Sequence, residues 1–289
     1  MKISIVVTVY NHEKYIAQCM ESVFCQKGDF EKEVIVGEDC STDNTRLILQ
    51  QFQQKHPETV FLLPAQENLG VTKNLKRCLD ACTGEYIAIC EGDDYWTDEY
   101  KLEKQKQFLD ANQDCSMCFS ALMIYFEDSN TFLPNLLPTQ DFLDTEHLIE
   151  RNDIANFSCC MYRTSVVKQL PPGIFNMYIA DWMFNIACSQ LGRLGFIREF
   201  MSVYRKHSGA AWSGMSTLDS LRKTCELMDI YNRFLEYKYD ALFKSHKKKI
   251  EEQIQNMTED APQSNGSESN LIRRATKLYS KFKARLFNK

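Results

Sequence analysis

The chain has 289 residues, 44% of them apolar, and a net charge of −5. That supplies one large core plus an appendage, and the mild acidity argues against nucleic-acid binding by the main domain. The longest apolar runs, Ile3 to Tyr10 and Ala121 to Phe126, fall far short of the roughly 18 residues a membrane span needs. Lys2 precedes only a short apolar run that meets Asn11-His12-Glu13-Lys14 with no small-residue cleavage site, so a first strand is expected there rather than a signal peptide.

In chain order, Ile3 to Val9 predicts a strand, and Tyr15, Cys19 and Val23 at spacing four predict a helix over about 13–25. Glu33 to Gly37 is the next strand. Ser41-Thr42-Asp43-Asn44 offers N-cap chemistry before a helix carrying Leu47, Ile48 and Phe52. Val60 to Leu63 reads as a short strand, and Gly70 to Ala81 as a helix stopped by Thr83-Gly84. Tyr86 to Cys90 is a buried strand. Repeated βα units of this length predict an α/β fold, a mainly parallel sheet flanked by helices with right-handed crossovers. Beyond it come a helix over 98–112, a strand over 116–126, a mixed region with Pro134, Pro138 and Pro171-Pro172, and helix over about 217–255. The polar segment 258–270 reads as a linker, since its composition supports no packed core. Twelve cysteines lie mostly in apolar segments and read as small core residues. The lone Cys115-Ser116-Met117-Cys118 lacks the second pair that zinc would need.

The strand from Tyr86 ends abruptly in Glu91-Gly92-Asp93-Asp94-Tyr95-Trp96. Its acids therefore sit at a strand's carboxyl end, the edge where open α/β sheets bind ligands. Adjacent carboxylates are stable there when a cation neutralises them, and hard oxygen ligands suit Mg²⁺ or Mn²⁺ arriving with a substrate phosphate. The segment reads as a metal-diphosphate site.

Five pieces in order now stand together: Ser4 to Asn11, Glu38 to Thr45, Asn68-Leu69-Gly70, the Glu91-Gly92-Asp93-Asp94 turn, and Val203-Tyr204-Arg205-Lys206-His207-Ser208-Gly209. Together they resemble the family 2 glycosyltransferases of the GT-A fold, over about residues 2–212. The resemblance implies inverting transfer of a sugar from a nucleotide-diphosphate sugar, UDP or dTDP, with Mn²⁺ or Mg²⁺. It implies a donor-binding set of Thr8, Tyr10, Asp39, Asn68, Lys73, Glu91 and Asp94, metal ligands Asp93 and His207, and Asp181 as the catalytic base. Glu91 departs from the family's D-x-D signature, and Ala180-Asp181 lacks the glutamate that often precedes the base.

The residues themselves leave alternatives beside several of these roles. Tyr10 can stack on a nucleobase or pack; Asp39 can accept from a pyrimidine imide N–H, while Asp43 reads as a helix cap. Lys73 near a helix start can meet a phosphate or simply face solvent, and Asp181 can take the acceptor's proton or cap the helix over 182–191. Asp94 can orient the sugar or bind the metal alongside Asp93, His207 can complete a metal shell as a neutral imidazole or pack, and Arg205 and Lys206 can pair with phosphates. Gly209 and Gly214 around Trp212 suggest a loop closing over the donor.

The expected organisation is a catalytic domain over 1–212, a C-terminal helical extension over 213–257, the linker over 258–270, and a basic amphipathic helix over 271–289. That last segment holds seven Lys and Arg and no acid, with Leu271, Ile272, Ala275, Leu278, Tyr279, Phe282 and Leu286 at helical spacing. Such a helix suits an anionic membrane surface, or a partner protein. The expected location is the cytoplasm, at the inner face of the cell membrane, with a saccharide or lipid-linked acceptor and no nucleic-acid partner. The competing functions are a non-catalytic nucleotide-sugar-binding module and a nucleotidyltransferase. The second, like a Rossmann dehydrogenase, would need a glycine-rich phosphate loop after strand one, where Tyr10-Asn11-His12-Glu13 has none.

Overall fold

The structure, a computed structural model, describes residues 1–259 except 136, 179, 211 and 213. It opens with β1 (Lys2–Val9), whose Ile3, Ile5, Val6 and Val7 are fully buried, as a central strand covered on both faces requires. In α1 (Ile16–Phe24), Ile16, Cys19, Met20 and Val23 fall at i, i+3, i+4 and i+7 and seat the helix on the core. The alternation continues through β2 (Glu31–Glu38), α2 (Thr45–Lys55), β3 (Val60–Leu62), α3 (Val71–Ala81) and β4 (Tyr86–Glu91). In α2 the fully buried apolar side chain is Leu49, whereas Leu47 is 54% exposed, so the inward face lies two residues on from Leu47.

Next come β5 (Tyr95–Trp96), α4 (Lys101–Ala111), β6 (Cys115–Phe126), β7 (Thr131–Pro134), β8 (Phe142–Leu143) and α5 (Thr145–Glu150). A 3-10 turn (Phe157–Cys159) leads into β9 (Cys160–Arg163), followed by α6 (Thr164–Val167), a second 3-10 turn (Pro172–Asn176), α7 (Asp181–Ser189) and β10 (Arg193–Lys206). The helices α8 (Thr217–Phe234) and α9 (Asp240–Glu259) follow.

The main strand order is β3-β2-β1-β4-β9-β6-β10-β5. β1 runs parallel to both β2 and β4, and β3 parallel to β2; β9 pairs antiparallel with β4 and β6. The parallel character predicted from the βα repeats thus belongs to the first half, and the later strands extend it as a mixed sheet. The chain leaves β1 toward β2 and returns at β4 on β1's other side. That reversal opens a crevice at the carboxyl ends of β1 and β4, where α/β sheets bind ligands.

The chain gathers into two compact units, Met1–Leu122 with Leu136–Arg205, and Met123–Asn135 with the chain from Lys206 on. The first holds the crevice. Nine of the twelve cysteines are buried, and Cys115 and Cys118 are free thiols, consistent with the core role read from their apolar surroundings. In the second unit, Tyr125 and Phe132 stack at 4.5 Å on the β6–β7 hairpin. The continuous helix expected over 217–255 is two helices: Glu236 and Tyr237 adopt left-handed φ of 52° and 58°, ending α8 before Asp240 starts α9. Asn232 Nδ2 donates to Asp240 Oδ1 at 3.0 Å across that turn, and Leu227, Met228, Tyr231, Phe243 and Ile250 are buried on the helix pair. α9 runs on to Glu259, into the segment expected as linker. The rest of that segment and the expected basic helix over 271–289 lie outside the described residues, as do Ala211 and Ser213 of the Gly209–Gly214 loop. Among the described residues no helix is long and apolar enough to cross a membrane.

Candidate active site

The carboxyl ends of β1 and β2 are laced by short polar bonds. Asn11, at φ 57°, accepts the Thr42 N–H on Oδ1 at 2.8 Å, and the His12 N–H donates to Thr45 Oγ1 at 2.8 Å. Asp43 accepts the Thr45 and Glu13 N–H groups at 2.9 and 3.1 Å, so it holds the start of α2 and ties it to the segment after β1. Tyr10 projects here, 44% exposed, and Thr8 stands in register between Gly37 of β2 and Glu91 of β4.

Asp39 is 3% exposed, and its carboxylate holds the turn that Asn68 opens. Its Oδ1 and Oδ2 accept the Leu69 and Gly70 N–H groups, each at 2.8 Å, while Asn68 Nδ2 donates to the Asp39 carbonyl at 2.9 Å. Gly70 adopts φ 76°, a region costly for other residues, at the N-terminal boundary of α3. Contact between Asp39 and a base would use the lone pairs these bonds leave. Lys73 is exposed on the first turn of α3.

The acidic turn after β4 comes close to the end of β1. A Cβ on Gly92 would lie 2.9 Å from the Val9 side chain and 3.0 Å from His12 Nδ1. Close approach, rather than a left-handed backbone, is therefore what glycine provides at this position. His12 Nε2 lies 3.7 Å from Asp93 Oδ2, which sets an imidazole and a carboxylate side by side as candidate ligands for one divalent cation. A neutral imidazole and a carboxylate are both common ligands of divalent cations. His12 was not singled out in the sequence; its position just past β1, at the ligand edge, was the available signal.

Asp94 plays a different part from its neighbour. It is 1% exposed and accepts from Asn156 Nδ2 at 2.5 Å, Ser158 Oγ at 2.6 Å and the Arg205 N–H at 2.8 Å. These donors turn the carboxylate inward. Arg205 is held in the same assembly: Nε donates to the Asp93 carbonyl at 2.8 Å, and a terminal nitrogen donates to Gln18 Oε1 at 2.7 Å. Its guanidinium also packs 4.8 and 5.3 Å from the Tyr15 and Tyr95 ring centres. Arg205 thus braces the turn, whereas its sequence reading was a phosphate partner. Asn156 and Ser158 belong to no motif and were missed.

Burial, then the charges of Asp94, Asp93 and Asp181, push the Glu91 carboxyl well above the ordinary range. Asp181, the first residue of α7, has its pKa raised to about 7 by burial, partly offset by the Trp182 N–H that its Oδ1 accepts at 2.7 Å. The Trp182 indole donates to the Leu148 carbonyl at 2.7 Å, fixing the start of α7. Tyr178, 38% exposed, has its phenol pKa raised by burial and by Glu91 and Asp181. The structure therefore brings Glu91, Asp93, Asp94 and Asp181 into one electrostatic neighbourhood. His207 is buried at the start of the second unit, one residue beyond β10.

The GT-A arrangement of sheet and helices, with an acidic turn at the switch point, matches what known proteins show. Residues 4–170 match the model of glycosyl transferase family 2, and the chain belongs to that family. An uncharacterized protein of Mycobacterium tuberculosis is 34% identical over 216 residues, covering 74% of this chain and 61% of that protein. The chain thus spans under two thirds of that relative's length. Among solved structures, S. aureus TarS 1-349 in complex with UDP-GlcNAc is similar at a TM-score of 0.60 and 20% identity, over 79% of this chain and 66% of that one. The mannosyltransferase PcManGT from Pyrobaculum calidifontis, in complex with GDP-Man and Mn²⁺, has a TM-score of 0.62 at 14% identity, over 96% of this chain and 79% of that one.

Proposed function

We propose that the protein is an inverting glycosyltransferase that moves a sugar from a nucleotide-diphosphate sugar, UDP- or dTDP-linked, to a hydroxyl of a saccharide or lipid-linked acceptor in surface-polysaccharide assembly. The observation that carries this reading is Asp181, a carboxyl with a pKa of about 7 in the same electrostatic field as the acidic turn. A general base works best with a pKa near the working pH, and a positioned one contributes about 10²- to 10⁴-fold. In the proposed reaction Asp181 takes the acceptor hydroxyl's proton as its oxygen bonds to the anomeric carbon. The bond from that carbon to the diphosphate oxygen breaks, and the nucleoside diphosphate leaves with the electron pair.

Asp93 and His12 would hold the divalent ion, with His207 as the further ligand that the Tyr-Arg-Lys-His resemblance implies. When bound, the ion supplies charge neutralisation to the leaving diphosphate, worth several kcal/mol. Tyr10, Thr8, Asn68 and the residual lone pairs of Asp39 would receive the nucleoside, with Lys73 toward the phosphates and Glu91 toward ribose or sugar. The two neighbouring structures carry different nucleotides, UDP in one and GDP in the other, so donor choice rests with pocket shape rather than with the shared fold. Attachment to an anionic membrane at the inner face of the cell membrane is proposed from the charge and apolar spacing of residues 271–289 alone.

The test is nucleotide release from UDP-, dTDP- and GDP-sugars with Mn²⁺, Mg²⁺ or EDTA, with and without a candidate saccharide acceptor. Metal-dependent release lost in Asp93→Ala and Asp181→Asn supports the reading. Donor binding without turnover, and insensitive to Asp181→Asn, would favour a binding module instead.

A further inference from the structure

Below the acidic turn lies a layer of buried polar groups that the proposed reaction does not use. The Ser158 hydroxyl that donates to Asp94 also accepts the Glu91 N–H at 3.0 Å, so one oxygen joins both ends of the turn. Ser158 is itself fastened from beneath. Its carbonyl accepts from the Trp96 indole at 2.8 Å, and the next carbonyl, of Cys159, accepts from Gln105 Nε2 at 2.9 Å. Gln105 Oε1 accepts from Lys101 Nζ at 2.7 Å, and that same ammonium sits 4.4 Å from the Trp96 ring centre. Lys101, Gln105 and Ser158 are 0% exposed, and Trp96 is 4%.

Stability alone does not account for Lys101. An ammonium taken from water costs several kcal/mol, and an unbranched apolar side chain of similar volume would avoid that cost. What Lys101 does provide is direction. It donates to the oxygen of Gln105 and so commits the amide nitrogen toward Cys159, while its contact with Trp96 aligns the indole that fixes Ser158. Two arms thus start at one ammonium and end on adjacent carbonyls of the 3-10 turn.

We propose that Ser158 is a positioning residue, set by Lys101, Gln105 and Trp96 beneath it, which holds the Glu91 amide and the Asp94 carboxylate so that Asp93 presents its own carboxylate toward His12. The consequence for metal and donor binding rests on the transferase reading; the mechanical coupling does not.

The experiment compares wild type with Ser158→Ala, Ser158→Thr and Lys101→Met, using residue-resolved hydrogen exchange without metal and calorimetric titration of UDP, dTDP and GDP with Mn²⁺. Ser158→Ala should accelerate exchange at the Glu91 and Arg205 amides and weaken Mn²⁺-dependent nucleotide binding by about tenfold or more, as losses of groups that orient ligands do. Ser158→Thr, which keeps the hydroxyl, should stay near wild type in both. Lys101→Met should unfold at the same or a higher temperature yet show the same faster exchange at Glu91 and Arg205. Unchanged exchange in Ser158→Ala would overturn the positioning role. Wild-type exchange in Lys101→Met would overturn the part assigned to the layer beneath. A wild type that binds none of the three nucleotides would count against the transferase reading, while the exchange data still decide the coupling.

Discussion

Glu33 and Glu91 stand on the two strands that flank β1, near its opposite ends, in register with Ser4 and Thr8 respectively. Burial would raise the pKa of Glu33, but the Ser4 hydroxyl, the Thr83 amide and hydroxyl, and Lys2 together hold it below the usual range. Those contacts are short: Ser4 Oγ at 2.6 Å, Thr83 N–H at 2.6 Å and Thr83 Oγ1 at 2.9 Å. Glu91 also feels burial, but its charged surroundings are three further acids, and its pKa moves the other way. One glutamate is completed by the fold; the other is in a place that becomes favourable for charge only when positive charge arrives. The amino edge of the sheet is thus built for stability and the carboxyl edge for chemistry.

Substitutions can break that contrast or sharpen it. The largest effect is expected from Asp93→Ala, which should abolish metal-dependent nucleotide release and donor binding together while the far-UV spectrum stays intact. Asp181→Asn should lower kcat by about 10²- to 10⁴-fold with donor affinity kept, as for loss of a general base. In wild type, the rate should rise with pH through about 7 as Asp181 ionises, and a flat profile across that range would remove the assignment.

The stability of the same pair of edges gives a finer test. Glu33→Ala should cost about 2 kcal/mol in urea unfolding, since it strips the buried Ser4 hydroxyl and the Thr83 amide of a charged acceptor, and leave turnover per folded molecule unchanged. An inactive but stable Glu33→Ala would erase the distinction between the edges. For Asp181 the sign is opposite. The unfolded chain releases this proton near the ordinary carboxyl value and the folded one only near 7, so wild-type stability falls as pH rises through that window. Asp181→Asn, free of that titration, should therefore gain more in melting temperature at pH 8 than at pH 5, measured without metal. The smallest effect is expected at Lys2, 41% exposed and 3.8 Å from Glu33: Lys2→Met should change stability by about 0.5 kcal/mol or less.

The parallel half of the fold was legible because its cues are local: β1 and β4 are short apolar runs, and turn residues separate them from helices with apolar stripes. The acidic turn was legible for a related reason, three acids placed directly after a buried strand. Other features depend on residues far apart in sequence. Nothing in Phe157-Ser158-Cys159 predicts that it reaches Asp94, and the antiparallel insertion of β9 beside β4 that brings it there is a tertiary event. Lys101 sits among Lys104 and Lys106 in a pattern that reads as a solvated helix face, yet it is fully buried. The break between α8 and α9 was hidden because neither Pro nor Gly occurs in Leu235-Glu236-Tyr237-Lys238-Tyr239, and non-glycine residues adopt the left-handed turn.

The cysteines give the molecule a built-in chemical clock. Burial raises the thiol pKa of Cys78 and Cys82 to about 12 and pushes Cys90, Cys118 and Cys188 far up as well, so in the folded chain they carry almost no thiolate, the species that alkylating reagents attack. Cys25 is exposed, and Cys40 and Cys225 are partly so. A pulse of iodoacetamide followed by mass measurement should therefore find a few modified sites on intact molecules and twelve on opened ones. Mapping the modified cysteines in molecules of intermediate mass would report which layer of the core parts first, without a mutation.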